Sequence, residues 1–352
     1  MAEAPGWGRH PLVQLTRVRY REFFREPEAV FWVFIFPVLL AAGLGIAFRS
    51  RAPDRTSVGV VSTGPAASQI TDALRHAEGI DVSLVTDSAA TEGLRTGSVA
   101  LVVVPGSDGS LVYRYDDTRP ESRVARLLVD DVVQRAFGRK NPLGVRERLE
   151  RERGSRYIDF LLPGLLGMNL MGSGIWGLGF AIVDARKKRL LKRLIATPMS
   201  RAQYLASFVL SRLTLLVIEV GLLLGFGVLV FGVPLRGSLP LLVLICLVSS
   251  LAFASIGLLV ASRAQTMEGA SGLMNLVMLP MWIFSGVFFS ASRFPESIQP
   301  VIQALPLTAV IDALRANILR GSGWETVGPE LGIIVAWMAA SFLLALRLFR
   351  WK

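Results

Sequence analysis

The sequence predicts an α-helical polytopic membrane protein: six transmembrane helices plus a small α/β extracytoplasmic domain. Three observations carry that expectation. Of the 352 residues, 52% are hydrophobic and only 18% charged, against ~25% charged in soluble domains, so lipid is the solvent for much of the chain. The apolar residues are gathered into six runs of span length. One stretch of 109 residues, between the first two runs, has a soluble composition. Disorder is excluded by the hydrophobicity. One cysteine, Cys246, and two histidines, His10 and His76, exclude a disulfide framework and leave no set of ligands for a zinc cluster.

The first segment, residues 1–28, reads as a cytoplasmic amphipathic interface helix. Leu12, Leu15 and Val18 fall near one face of Pro11–Phe24, with Arg17 and Arg21 elsewhere. Ala29–Phe48 follows, twenty residues without a charge, long enough at 1.5 Å per residue to cross a ~30 Å bilayer core. Its length exceeds the ~7–15 apolar residues of a signal peptide, so it is expected as an uncleaved first span.

Residues 49–157 carry 17 Arg and Lys against 15 Asp and Glu. Ser57–Ser62, Asp81–Val85, Leu101–Val104 and Ser110–Tyr115 read as strands. Ala66–Ala77, Ser88–Arg95 and Arg119–Phe137 read as helices, the last with Val124, Leu127, Leu128, Asp131 and Val132 in phase. Alternating strands and helices predict a mixed α/β layer. Arg146–Arg156 reads as a solvated helical stalk with pairs such as Glu147–Arg151.

Residues 158–352 hold the remaining five runs: Phe160–Val183, Leu213–Val233 with Glu219, Ser238–Ser262, Gly269–Ser292, and Val327–Leu346 with Glu330 near its start. Hydrogen-bond satisfaction in lipid requires each to be helical. Between the second and third runs, residues 184–206 form a basic cytoplasmic segment. Leu190, Leu191, Leu194 and Ile195 recur at helical spacing among Lys and Arg. Pro198 ends that helix by displacing Thr197 from the α region, and Ser200 caps the next. Such a helix determines topology, contacts anionic lipid, and offers a docking face for a cytoplasmic partner. On the other side, residues 291–326 are broken by Pro295, Pro300 and Pro306. Val310, Ile311, Leu314, Ile318 and Leu319 suggest a short half-buried outer-face helix.

Orientation follows from the short connections. With six spans both termini share a side. That side holds five basic residues before the first span, seven between the second and third, and four at Arg263, Arg347, Arg350 and Lys352, sixteen in all. The opposite short loops hold four: Arg236, Arg293, Arg315 and Arg320. Both termini are therefore expected in the cytoplasm, in the plasma membrane (the inner membrane of a Gram-negative cell). The net charge of +11 sits on this edge, which removes support for a nucleic-acid partner.

None of the five lysines follows glycine as a phosphate loop requires, and G-x-S-x-G and H-E-x-x-H do not occur. No catalytic, cofactor or metal site is expected. Polar groups inside the spans are few. Glu219 is a functional candidate by default, either as a proton or substrate site or as the partner of Arg212. Seven residues is ~10 Å of rise, so that pairing needs a long reach along the helix. Asn169 and Asn275 are expected to join helices more often than to bind ligand, and Asp159, at a span edge, to stay hydrated. Gly221-x-x-x-Gly225, Gly164, Gly167, Gly172, Gly174 and Gly177 permit close helix contact.

Three stretches resemble the permease subunits of type-2 ATP-binding-cassette (ABC) exporters: REFFREPEAVFWVFIFPVLL (Arg21–Leu40), LKRLIATPMSRAQYLASFVLS (Leu191–Ser211) and the outer-face run Phe284–Gly321 with its SGVFF and LPLT pieces. The insertion after the first span, including EGLRTGSVALVVVP (Glu92–Pro105), is similar to a subgroup with a large extracellular domain. After the second span the family commonly shows an acidic stretch and Gly-Thr-Leu; this chain reads DARKKRLLK. The resemblance implies a permease dimer, of two copies or a paralogue pair. Separate cytoplasmic ABC ATPase subunits would use ATP and Mg, and would dock on Leu190, Leu191, Lys192, Arg193, Leu194, Ile195, Thr197 and Pro198. It implies export of a hydrophobic or amphipathic substrate such as a drug or lipid. The competing expectations are a proton-coupled secondary transporter using Glu219 and a membrane-anchored sensor with a ligand-binding outer domain. The transporter class often shows internal repeats, and the two groups of three spans show no convincing one.

Overall fold

The computed structural model describes residues 11–48, 55–62, 66–106, 110–140, 142–143, 154, 156–187, 201–264 and 266–348. The chain divides into two compact units: residues 1–49 with 151–352, and residues 50–150.

Among the described residues, the regular elements of the first unit are all helices. After α1 (Pro11–Arg25) come α2 (Pro27–Ala47), α6 (Tyr157–Lys187), α7 (Arg201–Phe231), α8 (Leu239–Arg263), α9 (Met267–Phe284), α10 (Glu296–Gln303), α11 (Pro306–Arg320) and α12 (Trp324–Leu348). Five of these, α2, α6, α7, α8 and α12, are long and apolar enough to cross a membrane, and the bent pair α10–α11 raises that to six if it counts as one span. The chain is thus a multi-pass membrane protein. Its core centres on α6, which buries Leu161, Leu162, Leu165, Leu166, Leu170, Met171 and Ile175 completely. α8 packs against α6 on one side and α12 on the other, while α1 packs on α7.

Two parts of this unit depart from the sequence expectation. The fifth apolar run, Gly269–Ser292, is not one helix. α9 starts at Met267, capped by the Thr266 hydroxyl accepting from the Gly269 amide at 3.1 Å, and ends at Phe284. Gly286 then takes φ +78°, a left-handed turn that stops the helix. The outer-face segment is not half-buried either. α10 and α11 meet at 84°, and Val310, Ile311, Leu314 and Ile318 are fully buried. Pro306 starts α11, where its missing N–H costs nothing. The buried face of α11 explains why its sequence is too apolar for a loop, while Asp312, Arg315 and Leu319 are partly buried and Arg320 is exposed.

The second unit carries β1 (Thr56–Val61), α3 (Ala67–Arg75), β2 (Ile80–Val85), α4 (Asp87–Thr96), β3 (Leu101–Pro105), β4 (Leu111–Arg114) and α5 (Pro120–Ala136). The sheet order is β2-β1-β3-β4. β1 pairs parallel with β2 (Val58↔Val82) and β3 (Val60↔Val103), and β3 pairs antiparallel with β4 (Val103↔Tyr113). Val58, Val60, Leu101 and Val103 pack with Ile70, Leu74, Ala125, Val129 and Val133 from α3 and α5. Val61 and Val102 on the other face pack with Ala90 and Val99. The Tyr113 hydroxyl donates to Asp130 at 3.1 Å, and burial, with that bond, pushes its pKa up to about 12. The α5 face read from the sequence is corrected: Ser122, Ala125, Val129 and Val133 face the sheet, while Val124, Leu127 and Leu128 face outward. The small core residues won because α5 lies close on the strands. Residues 146–153 and 155 of the expected stalk lie outside the described residues.

Candidate functional site

The polar groups of the first unit gather where α7 meets α6. Arg212 and Glu219 are seven residues apart, nearly two helical turns, so both lie on one face of α7. That face meets Ser173 on α6. The Ser173 hydroxyl donates to Glu219 Oε1 at 3.0 Å and accepts a short hydrogen bond from Arg212 Nη2. Arg212 Nη2 also stands 4.0 Å from Glu219 Oε2. Gly177, one turn along α6, lies beside the guanidinium: a Cβ there would be in ordinary van der Waals contact with Arg212 Nη1, at 3.8 Å. Glu219 is 1% exposed. Glu219 Oε2 and Arg212 Nε have no hydrogen-bond partner among the described residues. The reach along α7 is thus closed by a hydroxyl from the neighbouring helix, a contribution that a single-helix reading cannot contain.

Asn169, one turn before Ser173, donates from Nδ2 to the Val33 carbonyl of α2 at 3.0 Å. The reason is Pro37. In an α-helix the residue at 37 would donate to the carbonyl at 33, and proline has no N–H. The backbone widens into a π turn over Phe31–Ile35, and Asn169 supplies the missing donor. Proline in a membrane helix is tolerated when a neighbour re-satisfies the freed carbonyl. Asn169 therefore joins α2 to α6. Asn275 is half-buried on α9, outside this cluster.

Asp159 does not stay hydrated. It is fully buried, and Arg156 grips it through Nε at 2.9 Å and Nη2 at 2.8 Å. Its Oδ2 also accepts from the Gly154 and Arg156 amides. Arg156 Nη1 reaches the Phe231 carbonyl at 2.7 Å. A cation at the C-terminal end of α7 satisfies carbonyls that lack intrahelical donors and complements the helix dipole. Arg315, expected only as an outer-loop charge, turns inward. Its Nη2 donates to the Gly286 carbonyl at 2.6 Å, and its guanidinium stands 3.7 Å over the Phe160 ring. These contacts tie α6, α7, the turn after α9 and α11 together at one end of the bundle.

The expected docking residues Leu190, Leu191, Lys192, Arg193, Leu194, Ile195, Thr197 and Pro198 lie outside the described residues. What the structure gives is the pair of helices that flank them, α6 ending at Lys187 and α7 starting at Arg201.

Helices long and apolar enough to span, tied to one another by buried polar contacts, make the first unit a polytopic membrane bundle. The family described as ABC-2 family transporter protein matches residues 28–347, and the chain belongs to that family. It is 30% identical over 173 residues to the inner membrane transport permease YhhJ of Escherichia coli, covering 49% of this chain and 46% of that protein. It is 28% identical over 174 residues to the linearmycin resistance permease protein LnrN of Bacillus subtilis, covering 49% and 45%. It is 28% identical over 205 residues to nodulation protein J of Rhizobium meliloti, covering 56% and 75%. The matched stretch thus spans about half the length of the first two relatives.

Proposed function

We propose that the chain is the membrane-spanning permease subunit of an ATP-driven exporter, one of the subgroup with a large extracellular domain. It moves a hydrophobic or amphipathic substrate from the cytoplasm or inner leaflet outward. The observation that carries this reading is the family match over residues 28–347, which, among the described residues, covers all but the first or last residue of the helices long and apolar enough to span. Energy comes from a separate cytoplasmic ATPase subunit, and two permeases work as a pair. Outward transport is supported by a relative named for linearmycin resistance, since a permease confers resistance by removing its substrate. The ATPase biases one permease conformation through contacts that differ between its nucleotide states, and residues 184–206 receive them.

The docking assignment predicts that Leu194→Asp with Ile195→Asp abolishes co-purification of the ATPase subunit and leaves membrane insertion intact. Undiminished co-purification would refute it. Orientation follows the sixteen-to-four basic asymmetry, with both termini cytoplasmic and residues 49–157 outside. A cysteine at Ser107 is then labelled by an impermeant maleimide on intact cells; labelling only after lysis inverts the topology. The competing proton-coupled reading of Glu219 is disfavoured because the carboxylate already has Arg212 and Ser173 as partners.

A further inference from the structure

Among the described residues of the second unit, one helix face has no partner. Val124 is 53%, Leu127 63% and Leu128 44% exposed. On a helix these three sit together, roughly opposite the Ala125, Val129 and Val133 stripe that packs on the sheet. Large apolar side chains clustered on a surface mark a contact site more often than scattered ones do.

The charges that bracket this stripe show what covers it. Glu121 lies seven residues before Leu128 and Arg135 seven residues after it, both on the outward face. Glu121 takes Arg119 at 3.1 Å and remains 59% exposed. Arg135 takes Asp131 at 2.8 Å and remains 57% exposed. Each has bonding capacity left. Rotating α5 by 180° about an axis through Leu128 sets acid against base at both ends, each ~10 Å from the centre. It also places the apolar stripe on itself. A pattern that is complementary to its own two-fold image is the signature of an isologous contact. Antiparallel packing opposes the helix dipoles as well.

We propose that α5 packs antiparallel against α5 of a second copy of this chain, with Leu128 at the two-fold axis and Glu121 of each copy meeting Arg135 of the other. One helix face covers a few hundred Å², less than the ~800 Å² per partner of a standard interface. The contact therefore forms between copies already held together in the membrane, and it rests on the paired-permease reading. Two copies inserted with the same topology share a two-fold axis along the bilayer normal, the symmetry an isologous contact requires.

The test is disulfide trapping in the full chain in its own membranes. The single native cysteine, Cys246, is buried, so the background is low. Under copper-phenanthroline oxidation Leu128→Cys gives a linked dimer, while Ser88→Cys on the exposed side of α4 does not. Adding Glu121→Arg lowers the linked fraction severalfold. Adding Arg135→Glu to the same chain restores it, which only a contact between copies can do. If Leu128→Cys stays unlinked while the purified chain has the mass of a dimer, the α5 contact is wrong and the pairing stands. If the purified chain has the mass of a monomer, both fall.

Discussion

Replacing Glu219 by glutamine lowers the yield and the thermal midpoint of the purified chain, and replacing Arg212 by glutamine in the same chain recovers most of the loss. The single change leaves the volume nearly constant and removes the charge that faces Arg212 across 4.0 Å. Stranding one partner of a buried ion pair costs ~3–5 kcal/mol, whereas replacing both is close to neutral. The Arg212 side chain keeps 25% exposure, which places the expected loss near 3 kcal/mol, the lower end of that range. Ser173 sharpens the case, because its one proton goes to Glu219 while its lone pair takes Arg212. Glutamine at 219 can still accept from Ser173, so the loss isolates charge rather than hydrogen bonding. Fluorescence-detected size-exclusion chromatography after a temperature series reads the effect. Non-additivity of the double variant is the diagnostic. A single Glu219→Gln chain that keeps its midpoint and loses export would instead assign the carboxylate to proton coupling.

Most spans were legible because lipid requires a long uncharged run to be helical; the fifth run broke the rule at Gly286, where a left-handed turn ends the helix early. Alternation and turn residues likewise disclosed the strands of the second unit. What stayed hidden depends on which neighbour a residue meets. Val124, Leu127 and Leu128 form the largest apolar stripe of α5, yet Ala125, Val129 and Val133 face the sheet, because close packing on strands selects small side chains. Asp159 sits at a span edge, where water would have been available, but Arg156 closes over it from three residues away. The role of Asn169 is recoverable afterwards from Pro37, four residues after the carbonyl it leaves free. Gly221-x-x-x-Gly225 shows the converse. The pattern suggests a helix contact, and a Cβ at either position would meet nothing within 4 Å. The spacing of small residues thus marks where helices can approach, while the facing surface decides where they do.

Gly257, which belongs to no G-x-x-x-G pattern, is where α8 comes into backbone contact with α6. A Cβ at Gly257 would lie 2.6 Å from the Ile175 carbonyl oxygen and 2.9 Å from the Ile175 Cα. Both are backbone atoms of α6, so no rotamer change relieves the overlap. The contact is reciprocal: a Cβ at Gly174 on α6 would stand 2.7 Å from Phe253 Cβ on α8. Gly257→Ala must therefore push α6 and α8 apart by several tenths of an ångström, loosening the fully buried Ile175 and Phe253 together. Overpacking of this kind costs ~1–3 kcal/mol, and Gly257→Leu costs more. Gly332 on α12 is the control, since a Cβ there meets nothing within 4 Å. Alanine at 332 gains helix propensity, up to ~1 kcal/mol. The same one-methyl change is then expected to lower the thermal midpoint at 257 and to leave or raise it at 332. Equal behaviour at the two sites would mean that α6 and α8 are not in backbone contact. Asn169 and Ser173 lie on the other face of α6, toward α2 and α7, so separating α8 from α6 should leave both polar anchors in place. The loss at Gly257→Ala should accordingly add to the Arg212 and Glu219 effects without changing the recovery that the double replacement gives.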